Sequence, residues 1–153
     1  ASFDPFSGSR EEDIKEQRMF VYLEGDQVMG YILMARAGLL GQPYIQYLAI
    51  AQVFQRRGIA SKLISHIESI YTDKRLFIST GSGNNIMQEL LHKLKYIPAG
   101  EILGANLNGA KELFYYIFYF FSFFFCFFCN PQLYIFSQVG LPPNRSLHLD
   151  SCW

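Results

Sequence analysis

The chain has no excess charge of either sign: 13 basic residues are balanced by 13 acidic ones, for a formal net charge of +0. Nothing in that balance suggests a nucleic-acid partner. Cysteine is scarce and odd in number, 3 in 153 residues. No disulfide framework follows from it, and a reducing compartment, hence a cytoplasmic location, is expected. The first residues carry no basic segment leading into an apolar core, so no secretory leader is read there. Two nucleotide-binding signatures are also missing. There are no three spaced glycines of the dinucleotide type, and no Gly-Lys-Ser/Thr of the P-loop type. A length of 153 residues suffices for one domain with a real core.

Alternating hydrophobic and helical spacings organise the first three quarters of the chain. Residues 1–8 read as loop, broken by Pro5 and Gly8. Ser9 followed three positions later by Glu12 is a capping-box pattern, and predicts a short helix through Gln17. Residues 18–24 and 27–36 read as two strands of a hairpin turning at Gly25. After a Gly-rich connection, residues 44–50 are apolar on both faces, as expected of a central strand. Residues 59–71 predict a helix burying Ile59, Leu63, Ile67 and Ile70, with Lys62, Ser65, Glu68 and Ser69 off that face. A strand over 76–79 and a helix with Asn84 as N-cap follow. Met87, Leu90, Leu91 and Leu94 form its buried stripe. Two final strands are expected over 96–103 and 111–117, joined by a turn at 106–109.

The segment Gln55-Arg56-Arg57-Gly58-Ile59-Ala60 lies between a predicted strand and a predicted helix. A helix opened by a glycine turn presents unpaired N–H groups and the positive end of its dipole, which together attract an anion. Arg56 and Arg57 can add charge-assisted contacts to phosphate. Two readings stand side by side: a pyrophosphate site, and a tight turn with solvated arginines.

This order of strand, Q-R-R-G-I-A and helix closely resembles the acetyl-coenzyme A site of the GCN5-related N-acetyltransferases (GNAT). The likeness extends to Leu48-Ala49-Ile50 before the turn, to Asn84, to Lys93-Leu94-Lys95-Tyr96 with the downstream Gly100, and to Glu112-Leu113-Phe114-Tyr115-Tyr116. It spans residues 9–117. It implies an α/β (α+β) fold with a mixed, mostly antiparallel central sheet flanked by helices and splayed where the coenzyme enters. It implies acetyl transfer from acetyl-coenzyme A to a primary amine by direct attack in a ternary complex, with no metal. The coenzyme would be held by the backbone of Gln55, Arg56, Arg57, Gly58, Ile59, Ala60 and Ser61. Leu48, Ala49 and Ile50 would pair with its pantetheine arm like an added strand. A backbone N–H near Ile50 would polarise the thioester oxygen, and Asn84 would contact the coenzyme near its pantetheine.

The chain also departs from the family. Leu91 stands where many members carry a tyrosine general acid, Gln46 where some carry a glutamate base, and Lys95 where glycine is preferred. Tyr115, Tyr116 and Glu24 are the remaining acid–base candidates, each with a structural role as its plainer reading. Surface positions are expected for His66 and His92. Members usually begin with an additional strand and helix, so a shortened N-terminus is expected. Residues 38–43 and 106–109 fall where acceptor loops lie in the family. These departures keep a second reading open, a catalytically silent coenzyme-binding or regulatory module.

The acetyltransferase-like domain is thus expected to occupy residues 1–117. Residues 118–153 form an atypical tail, almost wholly aromatic over 118–129. The apolar run over 113–129 sits at the lower limit for a membrane helix, which leaves a tethered variant as a further reading. Partner-binding and non-native endings also fit the tail. Cys126 and Cys129 have zinc-knuckle spacing, but no second pair follows at metal-site spacing.

Overall fold

A computed structural model describes residues 10–118 and 133–135 of the chain. These residues divide into two compact units, 10–33 with 47–63 and 133–135, and 34–46 with 64–118.

The first unit opens with helix α1 (Arg10–Lys15), which has Glu11, Glu12 and Asp13 in its first turn and Lys15 in its last, the order the helix dipole favours. It stops short of the expected residue 17, because Gln17 adopts a left-handed backbone, φ 57°. The Arg18 N–H then bonds back to the Asp13 carbonyl at 2.9 Å, and the Arg18 guanidinium pairs with the buried Asp13 carboxylate. Strands β1 (Met19–Glu24) and β2 (Gln27–Met34) form the predicted hairpin in antiparallel register, Met19 opposite Leu33 and Glu24 opposite Gln27. Gly25 turns it at φ 59°. Met19, Val21, Tyr31 and Leu33 build the core of this unit, with Ile14, Leu23, Tyr47 and Ala49 packed against it. A short strand β7 (Leu133–Ile135) pairs antiparallel with β1, Phe20 opposite Ile135. It lies in the segment that the sequence sets apart as a tail. Residues 1–9, 119–132 and 136–153, with the aromatic run and the Cys126/Cys129 pair, lie outside the described residues.

The second unit is built on β4 (Arg75–Gly81), β5 (Ile97–Ile102) and β6 (Glu112–Phe118). β6 runs antiparallel to both β4 and β5. Strand β3 (Tyr44–Ile50) has the expected bounds, and its beginning pairs in parallel with β4, Tyr44 opposite Phe77 and Ile45 opposite Ile78. Pairing is therefore mixed and mostly antiparallel, as expected for the flanked α/β sheet. Burial on β4 alternates: Leu76, Ile78 and Thr80 are buried, Phe77 and Ser79 half-buried. Helix α3 (Asn85–Lys93) buries Leu91 completely. Met87, Leu90 and Leu94 are only half-buried, so the expected four-residue stripe reduces to one deep anchor.

Helix α2 (Ile59–Ile70) starts where expected and buries Ile59, Leu63, Ile64 and Ile67. Each such side chain stabilises by roughly 1.5–3 kcal/mol. The buried face is rotated from the expected one. Ile64 joins it, Ile70 is 43% exposed near the helix end, and Glu68 is buried.

Strand β3 departs furthest from expectation. Of its residues only Ile45 is buried. Tyr47, Leu48, Ala49 and Ile50 are half-buried and Gln46 is exposed, so the strand is not covered on both faces.

Candidate functional site: an open helix N-terminus

The chain leaves β3 through Ala51, whose N–H bonds to the Met29 carbonyl at 2.9 Å. A 3-10 turn (Gln52–Phe54) follows, and then the Gln55 to Gly58 loop. The Gln55 side-chain amide reaches back to the Ile50 carbonyl, 3.2 Å away, tying loop to strand. Arg56 and Gly58 both have left-handed backbones, φ 61° and 76°. Gly58 carries this at little cost, whereas for an arginine it costs on the order of 1 kcal/mol. A Cβ built on Gly58 meets nothing within 4 Å. The space over this glycine is therefore open.

The Gly58 carbonyl accepts the Lys62 N–H at 3.1 Å and so begins the helix ladder. The N–H groups of Gly58, Ile59, Ala60 and Ser61 make no hydrogen bond to any described residue. Glycine offers no side-chain cap, and the first turn of α2 has no acidic residue to satisfy the dipole. Arg56 and Arg57 are exposed beside this opening. The Arg57 guanidinium lies 5.3 Å from the centre of the Phe54 ring, a cation–π contact that stiffens the loop and leaves its charge in solvent. Lys62, one turn on, donates to the Tyr22 hydroxyl at 3.0 Å. The arrangement can take an anion with two or more oxygens: successive N–H donors, a positive helix end and two guanidinium groups.

Strand β3 delivers this loop, and Gly30 on β2 makes the delivery possible. A Cβ on Gly30 would lie 2.7 Å from the Ala49 carbonyl oxygen and 2.5 Å from the Ile50 side chain. Only a residue without a side chain admits β3 that closely. Gly30 is missing from the candidate residues read in the sequence. Its signal was a lone glycine inside a strand pattern, which marks a close backbone approach.

The other candidates are positioned as follows. Asn84 caps α3, its side-chain oxygen accepting the Met87 N–H at 3.1 Å. Tyr115 and Tyr116 are half-buried neighbours on β6 and point to opposite faces. The Tyr116 ring packs 5.8 Å from that of Phe77, and the Arg75 guanidinium lies over it at 5.7 Å. Glu24 is exposed at the end of β1. His92 is exposed as expected. His66 is not a surface residue but half-buried, and burial lowers its pKa from 6.5. Lys95 has a left-handed backbone, φ 67°, which gives a physical reason for glycine at that position. Among the described residues no group of three or more His, Cys, Asp or Glu side chains could hold a metal ion, and no helix is long and apolar enough to cross a membrane.

The model of the acetyltransferase (GNAT) family matches residues 2–96. The chain belongs to that family. Solved GNAT structures resemble the fold. An acetyltransferase of the family from Bacillus cereus has a TM-score of 0.63 at 20% identity, over 72% of this chain and 76% of that one. Ard1 from Thermoplasma volcanium has a TM-score of 0.62 at 14% identity, over 72% and 78% of the two chains. NAA60 from Arabidopsis thaliana, in complex with acetyl-CoA, has a TM-score of 0.53 at 14% identity, over 61% and 67%. No curated protein matches the chain at a significant level. GNAT membership supports acetyl transfer in general, with the acceptor left to chemistry.

Proposed function

We propose that this GNAT protein transfers an acetyl group from acetyl-coenzyme A to a primary amine by direct attack in a ternary complex. The observation that carries the reading is the N-terminus of α2, whose N–H groups from Gly58 to Ser61 have no partner among the described residues and follow two exposed arginines. A coenzyme pyrophosphate supplies the charge and the spaced oxygens that such an opening accepts. Gln55, Arg56, Arg57, Gly58, Ile59, Ala60 and Ser61 hold the pyrophosphate. The half-buried Leu48, Ala49 and Ile50 offer apolar surface and strand backbone to the pantetheine arm. Asn84 already spends its side-chain oxygen on the α3 cap, so its amide NH₂ is the part left for the coenzyme.

In the reaction the neutral amine nitrogen attacks the thioester carbonyl carbon. A C–N bond forms, the C–S bond breaks, and the thiolate leaves with the sulfur electron pair. The proton lost by the nitrogen is matched by one gained by the thiolate. A backbone N–H near Ile50 polarises the carbonyl oxygen. With Leu91 fully buried at the position where many members have an acid, positioning contributes most of the rate.

That same buried Leu91, with Gln46 exposed on β3, favours a second reading: a module that binds the coenzyme and transfers nothing. Calorimetric titration of acetyl-coenzyme A into the full chain, followed by an amine panel, separates them. Binding with turnover supports the transferase, and binding without turnover supports the silent module. A folded chain that binds no coenzyme overturns both.

A further inference from the structure

A polar cluster in the second unit lies outside the residues proposed to hold the coenzyme. On β6, Glu112 lies opposite Gly81 of β4. A Cβ on Gly81 would meet only the Asn106 Nδ2, at 3.8 Å, so there is room for the Glu112 side chain to lean across. One carboxylate oxygen accepts the Ser79 hydroxyl at 2.5 Å and the other accepts the Asn106 Nδ2 at 3.0 Å. Since the Ser79 proton is directed to Glu112, the Tyr44 hydroxyl, 2.7 Å from the Ser79 oxygen, donates to Ser79. Three neutral side chains from β3, β4 and the β5–β6 loop thus orient one carboxylate.

None of them neutralises it. Among the described residues no lysine or arginine pairs with Glu112, and the Nζ of its neighbour Lys111 is held by Glu101 at 2.8 Å. A carboxylate has about four lone-pair positions, and two of these are filled here. The residue is half-buried, so its charge is partly withdrawn from water yet remains reachable. A fixed, partly desolvated anion with open acceptor capacity favours a cation. The surroundings narrow the kind. Tyr44, Phe77, Ser79, Phe114 and Tyr116 share this face by strand alternation and register, and all are half-buried. Two rings of the face are already in use as cation platforms, since the Arg75 guanidinium lies 5.7 Å from the Tyr116 ring centre and 5.9 Å from that of Phe118.

The geometry points to Glu112, held by Ser79 and Asn106, as a binding site for a primary alkylammonium ion. The ammonium donates to the open carboxylate positions and its alkyl stem lies along the aromatic face. As the acceptor subsite of acetyl transfer, it rests on the reading given under Proposed function and narrows the acceptor to a cationic alkylamine, whose bound ammonium gives one proton to water and attacks as the neutral amine. As a cation site it stands without that reading.

The test is titration of n-butylammonium chloride into the full chain, read by NMR on the backbone amide of residue 106, which every variant retains, with n-butanol as the neutral control. Wild-type protein is expected to bind butylammonium and ignore butanol, and Glu112→Gln to weaken binding at least tenfold. Ser79→Ala and Asn106→Leu keep the charge but release its orientation, and each should weaken binding about threefold or more. Should Glu112→Gln fail to fold, these two decide. No shift of that backbone amide in wild type, or equal affinity across the variants, overturns the proposal. Acetyl-coenzyme A titrated into the same samples keeps the two readings apart. Glu112→Gln should leave coenzyme affinity within twofold. Butylammonium binding without coenzyme binding sinks the transferase and keeps the cation site, and the reverse result does the opposite.

Discussion

Two helices of this chain follow a strand through a short glycine-containing loop, and they begin in opposite ways. α3 closes its own N-terminus: the Asn84 side chain takes the Met87 N–H at 3.1 Å. Among the described residues nothing satisfies the first turn of α2, which has Gly58 at the cap position and no acid. The loops differ to match. Before α3 the Asn84 N–H bonds to the Gly81 carbonyl at 2.9 Å, whereas before α2 two consecutive arginines stand in solvent. A satisfied helix end is a structural device. An open one, flanked by cations and reached through strained backbone, keeps donors that no described residue fills.

That contrast can be broken most forcefully at Gly30. Gly30→Ala must displace either the Ala49 carbonyl or β2 itself, and overpacking of this kind typically costs about 1–3 kcal/mol. Chemical denaturation should show the loss, and coenzyme affinity should fall with it because β3 carries the α2 loop. Gly58→Glu acts at the opening itself. It should lower acetyl-coenzyme A affinity at least tenfold, about 1.4 kcal/mol. Because φ is 76°, any side chain there also strains the backbone, so Gly58→Ala is the control that carries the strain without the charge. Equal affinity in Gly58→Glu, Gly58→Ala and wild type would put the coenzyme elsewhere.

The other helix supplies the sharpening experiment. Asn84→Ala should cost about 1 kcal/mol of stability for the lost cap. Loss of its amide NH₂ should also weaken the coenzyme, but by less than Gly58→Glu does; an equal loss would collapse the division between a closed end and an open one. Lys95→Gly, just beyond α3, should stabilise by up to about 1 kcal/mol through relief of a left-handed lysine, and thermal melting would show it. The smallest effect is that of pH on α2. Burial lowers the pKa of His66 in the folded protein below its ordinary 6.5, so below that value the unfolded chain binds a proton that the folded one refuses. Stability should hold above pH 6.5 and decline as pH falls beneath it. His66→Gln should decline less in parallel melts.

What the sequence made legible was local. The bounds of β3, the first residue of α2 and the cap at Asn84 each rest on residues a few positions apart, and all three are where their spacing places them. What escaped depends on distant partners. The half-buried state of Leu48 to Ile50 reflects what fails to cover a strand, which no apolar run reports. Gly30 matters because of Ala49 and Ile50, on another strand. The Tyr44–Ser79–Glu112 chain joins residues 35 and 33 positions apart, and three ordinary polar residues carried no pattern to announce it. The conformation of Lys95 was hinted at only by the residue type that the family prefers there.

β5 ends the strand order, and every one of its residues is exposed, with Ile97 and Ile102 about half in solvent. A bare, apolar outer strand is a template on which other chains can stack. Two features blunt it. Pro98 has no N–H to offer, and the register with β6 slips between Pro98 and Gly100, so the ladder is interrupted near its start. Pro98 and this slip are thus the two features of β5 that resist pairing with a second chain.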